Sequence, residues 1–209
     1  MDEAERLELD ERSWVDVRRG FLTDADDLYA ELVGTAPWRS SRVYRYDHWV
    51  EEPRLSTWFR ADSSAPPRLL EVHRQLQRTY GVTFDGFALN WYRDGRDGQA
   101  FHRDRDMQWL DETLIAILTL GATRPWLLRP RANRYAHDLP DRGAVVDLAP
   151  GSGDLHVMGG ATQVGWEHSV AQLRQPVGGR ISVQWRWTSR RGRQERGGSY
   201  RKPRHYSHR

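Results

Sequence analysis

The segment that most constrains the fold is Arg180–Thr188, in which apolar and polar residues alternate without interruption. This alternation predicts a β-strand with one apolar face and one polar face. The apolar set is Ile181, Val183, Trp185 and Trp187, and the polar set is Arg180, Ser182, Gln184 and Arg186. Because the apolar face must cover a hydrophobic core, the two arginines on the other face either meet solvent or line a cavity.

Two helices are predicted in the first half of the chain. The first covers residues 23–33 with Thr23 as its N-cap, and the second covers Pro67–Tyr80, beginning with a proline and ending before Gly81. Short strands follow, at residues 87–92, 114–120, 126–128, 144–148, 154–158 and Arg180–Thr188. Helices followed by many short strands predict an α+β fold with a β-sandwich or jelly-roll core.

The length of 209 residues suits a single domain, which we place at residues 1–188. Residues 189–209 are dense in arginine, glycine, serine and histidine and almost lack apolar side chains, which predicts a flexible basic tail. Such a tail suits binding to a phosphate backbone, and it equally suits a terminus that only aids solubility.

Composition excludes several kinds of site and location. The chain has no cysteine, which excludes disulfides, thiolate metal sites and cysteine nucleophiles. The acidic residues 1–10 lack the apolar core of a signal peptide, and no apolar run approaches the length of a membrane span. A soluble cytoplasmic monomer without a membrane partner is therefore expected.

The first chemical signal is the pair formed by His102 and Asp104. In an extended segment these residues point the same way, so they can hold one metal ion between them. His168, much further along the chain, is the candidate third ligand. Two histidines and one carboxylate on one face of an ion leave its other positions open, which suits non-haem Fe(II). The His-x-Asp pair alone is a weak signal, because it often arises by chance on a protein surface.

The second signal is the spacing of Arg180 and Arg186, which places both on the polar face of one strand. A guanidinium group pairs with a carboxylate through two parallel hydrogen bonds. If this face lines a cavity, it would suit 2-oxoglutarate, whose keto-acid end chelates iron while its far carboxylate reaches an arginine. The alternative is an ordinary solvated strand face.

Taken together, the motifs between about residue 52 and residue 188 resemble the AlkB-type family of Fe(II)/2-oxoglutarate dioxygenases. Each motif is weak alone, and their order and spacing make the resemblance specific. They are Asn90-Trp91-Tyr92-Arg93-Asp94-Gly95, His102-Arg103-Asp104-Arg105-Asp106, Thr119-Leu120-Gly121-Ala122-Thr123-Arg124, Gly153-Asp154-Leu155-His156-Val157-Met158-Gly159-Gly160, Thr162-Gln163, Trp166-Glu167-His168-Ser169-Val170 and Arg180-Ile181-Ser182.

The resemblance implies a double-stranded β-helix (jelly-roll) core with N-terminal helices packed on one sheet. It implies Fe(II) as cofactor, 2-oxoglutarate as cosubstrate and O₂ as oxidant, with His102, Asp104 and His168 as the catalytic metal ligands. The residues expected to bind 2-oxoglutarate are Asn90, Tyr92, Arg180, Ser182 and Arg186. Ser182 departs from the pattern, because several family members have asparagine at this position.

The resemblance also implies a substrate: alkylated DNA or RNA, expected to be single-stranded, from which the enzyme would remove alkyl groups and so repair damage. Residues 52–59 resemble the nucleotide-recognition region of the family, and Asp106 matches an acidic position that meets the target base. The expected substrate-binding residues are Arg54, Trp58, Phe59 and Asp106. Two alternatives remain open: the same oxygenase chemistry on a protein, lipid or small metabolite, and a nucleic-acid-binding domain without catalysis.

Overall fold

The computed structural model describes residues 4–45, 48–62, 64–104, 107–131, 145–192 and 194–195. Its helices are α1 (Ala25–Thr35), α2 (Pro67–Tyr80) and the short α3 (Thr162–Gly165). Its strands are β1 (Glu5–Asp10), β2 (Ser13–Arg18), β3 (Arg39–Arg45), β4 (His48–Arg60), β5 (Gly86–Tyr92), β6 (Gln99–His102), β7 (Thr113–Gly121), β8 (Trp126–Pro130), β9 (Val146–Asp147), β10 (Leu155–Gly160), β11 (Trp166–Val170) and β12 (Arg180–Thr188).

The strands form two antiparallel sheets. The larger sheet has eight strands in the order β1-β2-β10-β7-β12-β5-β4-β3, and the smaller has four in the order β6-β11-β8-β9. One apolar cluster contains Ile117 and Met158 from the larger sheet and Trp126 and Leu128 from the smaller, so the two sheets pack face to face. This arrangement is the α+β sandwich that the sequence predicts.

The helices cover the other face of the larger sheet. Leu32 of α1 and Leu76 of α2 lie in one buried cluster with Leu118 of β7 and Val183 of β12. Each fully buried leucine of this kind contributes roughly 2 kcal/mol to stability through the removal of apolar surface from water. The predicted packing of the N-terminal helices on one sheet is therefore observed, and the opposite face of the same sheet is left to line the interior of the sandwich.

The second helix has the predicted bounds, whereas the first does not begin as predicted. Gly81 follows α2 with a φ of 66°, and its amide donates to the carbonyl of Gln77. Helix α1 begins at Ala25, and its N-cap residue, Asp24, makes no capping hydrogen bond. The Asp24 carboxylate instead accepts two hydrogen bonds of 2.8 Å from Arg68 of α2. The expectation that Thr23 caps the helix was therefore wrong, because the acidic side chain at this turn pairs with the neighbouring helix.

The strands of the sheet interiors match the sequence pattern better than the edges do. Strand β12 has the predicted bounds, and β5, β7, β8 and β10 lie within about two residues of theirs. The start of the predicted strand at Ala144 lies outside the described residues. The sequence pattern missed β1 and β3, which are the edge strands of the larger sheet, together with their partners β2 and β4. Edge strands face solvent along one side and carry charged residues, which hides their periodicity.

Over the described ranges, no helix is long and apolar enough to cross a lipid bilayer.

Candidate metal centre

Strand pairing in the smaller sheet brings His102 and His168 together. His102 is the last residue of β6, and it lies opposite His168 of the antiparallel strand β11. The centroids of the two imidazole rings are 4.2 Å apart. The ring of Trp126 in β8 stacks on His168 with its centroid at 5.5 Å, which fixes the plane of that imidazole from behind. The pairing of β6 with β11 therefore brings together two histidines that lie far apart in the sequence.

Asp104 completes the cluster from the loop after β6. One potential ligand atom from each of His102, Asp104 and His168 lies within 4.8 Å of the others. The Nε2 atom of His102 is 3.6 Å from Oδ1 of Asp104. The structure therefore brings together the three residues that the sequence predicts as metal ligands, in a cluster that can hold one ion.

The protonation states of the two histidines suit a cation. Nδ1 of His102 lies 2.9 Å from the carbonyl oxygen of Ala100, which can only accept, so Nδ1 carries the proton and Nε2 keeps its lone pair. Burial lowers the pKa of His102. Burial, together with the charge of His102, lowers the pKa of His168 to about 3. Both rings are therefore neutral near pH 7 and able to donate electron pairs to a metal.

Asp104 is ionised and held by two neighbours. Burial alone would raise its pKa, but the positive charge of Arg186, with a hydrogen bond from the same side chain, holds the pKa of Asp104 well below its usual range. Nε of Arg186 donates to Oδ2 at 2.8 Å. The side-chain oxygen of Gln163 accepts a hydrogen bond of 2.9 Å from the backbone amide of Asp104. Gln163 was not predicted as a site residue, although it lies in the quoted Thr162-Gln163 motif.

A second group of polar residues lies on the interior face of the larger sheet. Arg180 is 0% exposed, and its guanidinium donates to the hydroxyl of Thr119 at 3.1 Å and, weakly, to the carbonyl of Arg124 at 3.5 Å. Its Nε atom has no hydrogen-bond partner among the described residues. Burial and the nearby charge of Arg124 lower the pKa of Arg180 to about 10, which still leaves it charged at pH 7.

The other residues expected at the cosubstrate lie beside Arg180. Tyr92 is directly opposite Arg180 across the β5–β12 ladder, and Asn90 is opposite Ser182. Residues directly opposite each other in an antiparallel pair share a face of the sheet. The Ser182 hydroxyl is buried and, like Arg180 Nε, has no partner in the described part of the chain. A buried cation beside an unpaired hydroxyl suits a small anion that carries its own hydrogen-bond acceptors.

The four residues expected at the substrate are not all brought together. Trp58 lies opposite Ala88 in the sheet, as does Gln184, so Trp58 shares the interior face with Arg180, and it is 57% exposed. Arg54 lies four residues earlier in β4 and therefore has the same facing. Its Nη2 atom donates to Glu52 at 2.9 Å, and its Nε and Nη1 atoms are buried without a partner among the described residues.

Phe59 and Asp106 are the exceptions. Phe59 lies opposite Phe87 on the other face of the sheet, where the two ring centroids are 5.8 Å apart in the core that the helices cover. The structure therefore separates Phe59 from Trp58 and from the metal ligands, because neighbouring residues of a strand point to opposite faces. Asp106 lies outside the described residues.

Comparison with known proteins identifies a family whose model matches this chain. Residues 23–193 match the model of the 2OG-Fe(II) oxygenase superfamily. The alpha-ketoglutarate-dependent dioxygenase alkB homolog 3 of Bos taurus is 27% identical over 180 residues, covering 79% of this chain and 62% of that protein. The DNA oxidative demethylase ALKBH2 of Homo sapiens is 26% identical over 179 residues, covering 78% of this chain and 68% of that protein. The chain thus spans about three fifths of the length of the alkB homolog 3 relatives.

Solved structures support the fold. A prolyl hydroxylase from Trichoplax adhaerens aligns with a TM-score of 0.58 at 12% identity, over 83% of both chains. A prolyl-4-hydroxylase from Pseudomonas putida aligns with a TM-score of 0.52 at 17% identity, over 88% of this chain and 93% of the other. At these identities the likeness concerns the fold alone, and it confirms the expected jelly-roll core.

Proposed function

The chain belongs to the 2OG-Fe(II) oxygenase superfamily, and from that premise we propose that it oxidatively removes alkyl groups from N-alkylated bases of DNA or RNA, and so repairs alkylation damage. Members of this superfamily use Fe(II), 2-oxoglutarate and O₂. The observation that carries the proposal is the cluster of His102, Asp104 and His168 facing a sheet whose buried Arg180 lacks a carboxylate partner among the described residues.

The donor set of the cluster fits Fe(II). Two neutral imidazoles and one ionised carboxylate supply one negative charge and three lone pairs, and they leave positions on the ion for other ligands. His102 would bind through Nε2, since its Nδ1 proton is directed at the carbonyl of Ala100. Arg186 and Gln163 would keep Asp104 in its ionised form and in its orientation.

The interior face of β12 fits 2-oxoglutarate. Arg180 would pair with the distal carboxylate, which would supply the partner that its Nε atom lacks. Asn90, Tyr92 and Ser182 would donate hydrogen bonds around the same molecule, and Arg186 would lie near its metal-bound end. A fully buried arginine without a counter-charge is costly, so the binding of a dianion is favoured by the charge it neutralises.

Bound Fe(II) would supply the oxidising chemistry: one oxygen atom of O₂ enters 2-oxoglutarate, giving succinate and CO₂, and the other enters a C–H bond of the N-alkyl group. For a methyl group on N1 of adenine or N3 of cytosine, the product, a hydroxymethyl on the ring nitrogen, then releases formaldehyde and a proton, and the ring nitrogen is left unsubstituted. The protein would hold both organic molecules in place and keep bulk water from the centre.

Trp58 and Arg54 support a nucleic-acid substrate. The indole of Trp58 offers an exposed aromatic surface, on which any nucleobase can stack. Arg54 places a positive charge near Tyr92 and His102: burial raises the pKa of Tyr92 and the Arg54 charge opposes that rise, whereas burial lowers the pKa of His102 and the Arg54 charge adds to that fall. Relatives named as DNA oxidative demethylases are consistent with this substrate. We further propose that the target is single-stranded and that the protein acts as a monomer.

The test is mass spectrometry of short oligonucleotides that carry N1-methyladenine or N3-methylcytosine. Single-stranded and duplex forms would be incubated with the protein, Fe(II), 2-oxoglutarate and O₂, and succinate would be measured in parallel. The variant His102→Ala removes one ligand, while Glu71→Gln, on the far helix α2, serves as a control substitution.

Methyl loss in the wild type and in Glu71→Gln, but not in His102→Ala, would support the proposal. Faster loss from single strands than from duplexes would support the proposed strand preference. Succinate without methyl loss would keep the oxygenase chemistry and contradict the substrate, in favour of a protein, lipid or metabolite. If neither succinate nor methyl loss were detected, the enzymatic proposal would be overturned, and the non-catalytic binding domain would remain.

A further inference from the structure

Arg103 occupies an unusual position between two residues of the metal cluster. In an extended segment the side chains of residues 102 and 104 point one way and that of residue 103 points the other way. Arg103 therefore lies behind the loop that presents His102 and Asp104, and its side chain is only 7% exposed. A guanidinium this deeply buried requires compensation by negative charge or by acceptor oxygens.

The compensation comes from two other parts of the chain. Nη1 of Arg103 donates to the carbonyl oxygen of Gln163 at 3.0 Å, and Nη2 donates to Oε1 of Glu195 at 2.9 Å. The same Gln163 accepts a hydrogen bond from the amide of Asp104. Arg103 and Asp104 therefore both donate hydrogen bonds to Gln163, which lies before β11. Arg103 also donates to Glu195, which lies after β12.

Backbone contacts of residues 194 and 195 with the segment around Trp109 hold Glu195 in place. The amide of Glu195 donates to the carbonyl of Gln108 at 2.7 Å, and Gln194 forms a β-bridge with Trp109. Further back, the hydroxyl of Thr188 donates to the carbonyl of Trp109 at 2.7 Å. Residues 194–195 thus contact the segment that follows the metal loop. Among the described residues, contacts with the domain therefore continue beyond residue 188.

We propose that Glu195, acting through Arg103, is a positioning residue that holds His102 and Asp104 in the geometry a metal ion needs. The inference rests on the proposed metal site and adds to it a residue from the segment assigned by sequence to the tail. Glu195 supplies a negative charge to this buried cation. It also anchors the residue that lies between two ligands, so that the loop cannot turn away from His168.

The experiment measures metal affinity in the full chain without O₂ or 2-oxoglutarate. Mn(II) binding would be followed by calorimetry, and Co(II) binding by its visible absorption spectrum, which reports the ligand geometry. The variant Glu195→Gln keeps the shape of the side chain and removes its charge. Glu71→Gln is the matched control, because Glu71 also accepts from an arginine, Arg68, at 2.6 Å, but on helix α2.

We expect Glu195→Gln to weaken Mn(II) binding by about 10-fold, in the range for residues that orient metal ligands, and to alter the Co(II) spectrum. Glu71→Gln should retain wild-type values. The metal-free thermal unfolding temperature should be similar in both variants, which separates positioning from a loss of folding. Wild-type affinity in a folded Glu195→Gln would overturn the inference.

A double substitution tests whether Glu195 acts through Arg103. Arg103→Met alone should also weaken Mn(II) binding, and adding Glu195→Gln should cause little further loss. Fully additive effects of the two substitutions would mean that Glu195 acts by another route and would overturn the inference. If the wild type bound neither metal, the proposed function would fail together with this inference, whereas normal wild-type binding with unchanged variants would reject only the inference.

Discussion

Arg186 and Asp104 form an ion pair in which Nε of the guanidinium donates to Oδ2 of the carboxylate at 2.8 Å. Nη2 of the same guanidinium donates to the side-chain oxygen of Gln184 at 2.5 Å. The residue expected at the metal-bound end of the cosubstrate therefore also contacts a potential metal ligand directly. This connects the polar face of β12 in the larger sheet to the loop after β6 in the smaller one.

Arg186→Lys should weaken Mn(II) binding by about 10-fold, because lysine keeps the charge but loses the planar fork that orients Asp104. Calorimetric titration of the metal-free protein would measure it. Arg68→Lys is the control, since Arg68 also grips a carboxylate, that of Asp24, through two hydrogen bonds far from the cluster. Equal affinity in Arg186→Lys and wild type would show that charge alone, and not orientation, is what Arg186 provides.

Arg180→Met should weaken 2-oxoglutarate binding by about 30-fold or more, because loss of one partner of a buried charge pair costs about 2–5 kcal/mol. Without ligand, the variant should be no less stable than the wild type, since the buried guanidinium lacks a carboxylate partner among the described residues. Calorimetry with Mn(II) present would measure affinity. The monocarboxylate 2-oxobutyrate provides the control, because it should bind both proteins equally weakly. A similar loss for both ligands would contradict the role of Arg180 at the distal carboxylate.

Elements could be predicted from the sequence where the pattern of buried and exposed residues is the same from one end of the element to the other. Strand β12 is buried by apolar contacts on one face and lines the interior with the other, so its alternation is complete and its bounds are exact. Helix α2 has a continuous apolar stripe and clear end signals, so its bounds are also exact. The metal cluster could be predicted because the motifs are specific in combination, even though the pairing of β6 with β11 could not.

The remaining errors arise where contacts between distant residues decide the outcome. The sequence gives no sign that Asp24 pairs with Arg68 or that Glu195 reaches Arg103, because neither contact has a periodic signal. The grouping of Trp58 with Phe59 conflicts with the period of a strand, in which neighbours point to opposite faces. Recognition of β4 as a strand would have placed Trp58 and Phe59 on opposite faces of the sheet. An arginine between two candidate ligands was itself a signal for a supporting carboxylate.

Trp58 and Phe59 should respond to alanine substitution in opposite ways. Trp58→Ala should weaken binding of a single-stranded oligonucleotide by about 5-fold or more, since stacking of one base on an aromatic ring is worth about 1–3 kcal/mol. Its effect on stability should be small, because the indole is mostly exposed. Phe59→Ala should instead lower the free energy of unfolding by about 2 kcal/mol through lost packing against Phe87, with little change in oligonucleotide affinity.

Fluorescence anisotropy of a labelled oligonucleotide and urea denaturation would measure the two effects. Each variant serves as the control for the other, because both remove an aromatic ring from the same strand. A Phe59→Ala protein that is stable yet binds poorly would restore Phe59 to the substrate site. A Trp58→Ala protein with full affinity would remove Trp58 from it.

His73 provides a test of how stability depends on pH. The residue is 5% exposed, its Nδ1 atom has no partner among the described residues, and its ring lies 6.0 Å from that of Phe84. Burial, with a smaller effect of the Arg74 charge, lowers the pKa of His73 below its ordinary value of 6.5. The folded state therefore resists protonation of a group that the unfolded state protonates readily.

A group whose pKa is lowered by folding contributes stability above its unfolded pKa, and that contribution is lost as pH falls below about 6.5 towards the folded value. The wild type should therefore lose more stability between pH 7 and pH 5 than His73→Leu, by at most about 1.4 kcal/mol per pH unit for one proton. At pH 7 the variant should be at least as stable, because leucine leaves no unpaired nitrogen in the core. Urea denaturation at pH 7, 6 and 5 would give the free energies of unfolding. Parallel profiles for wild type and His73→Leu would show that His73 gains its proton as easily in the folded protein as in the unfolded chain.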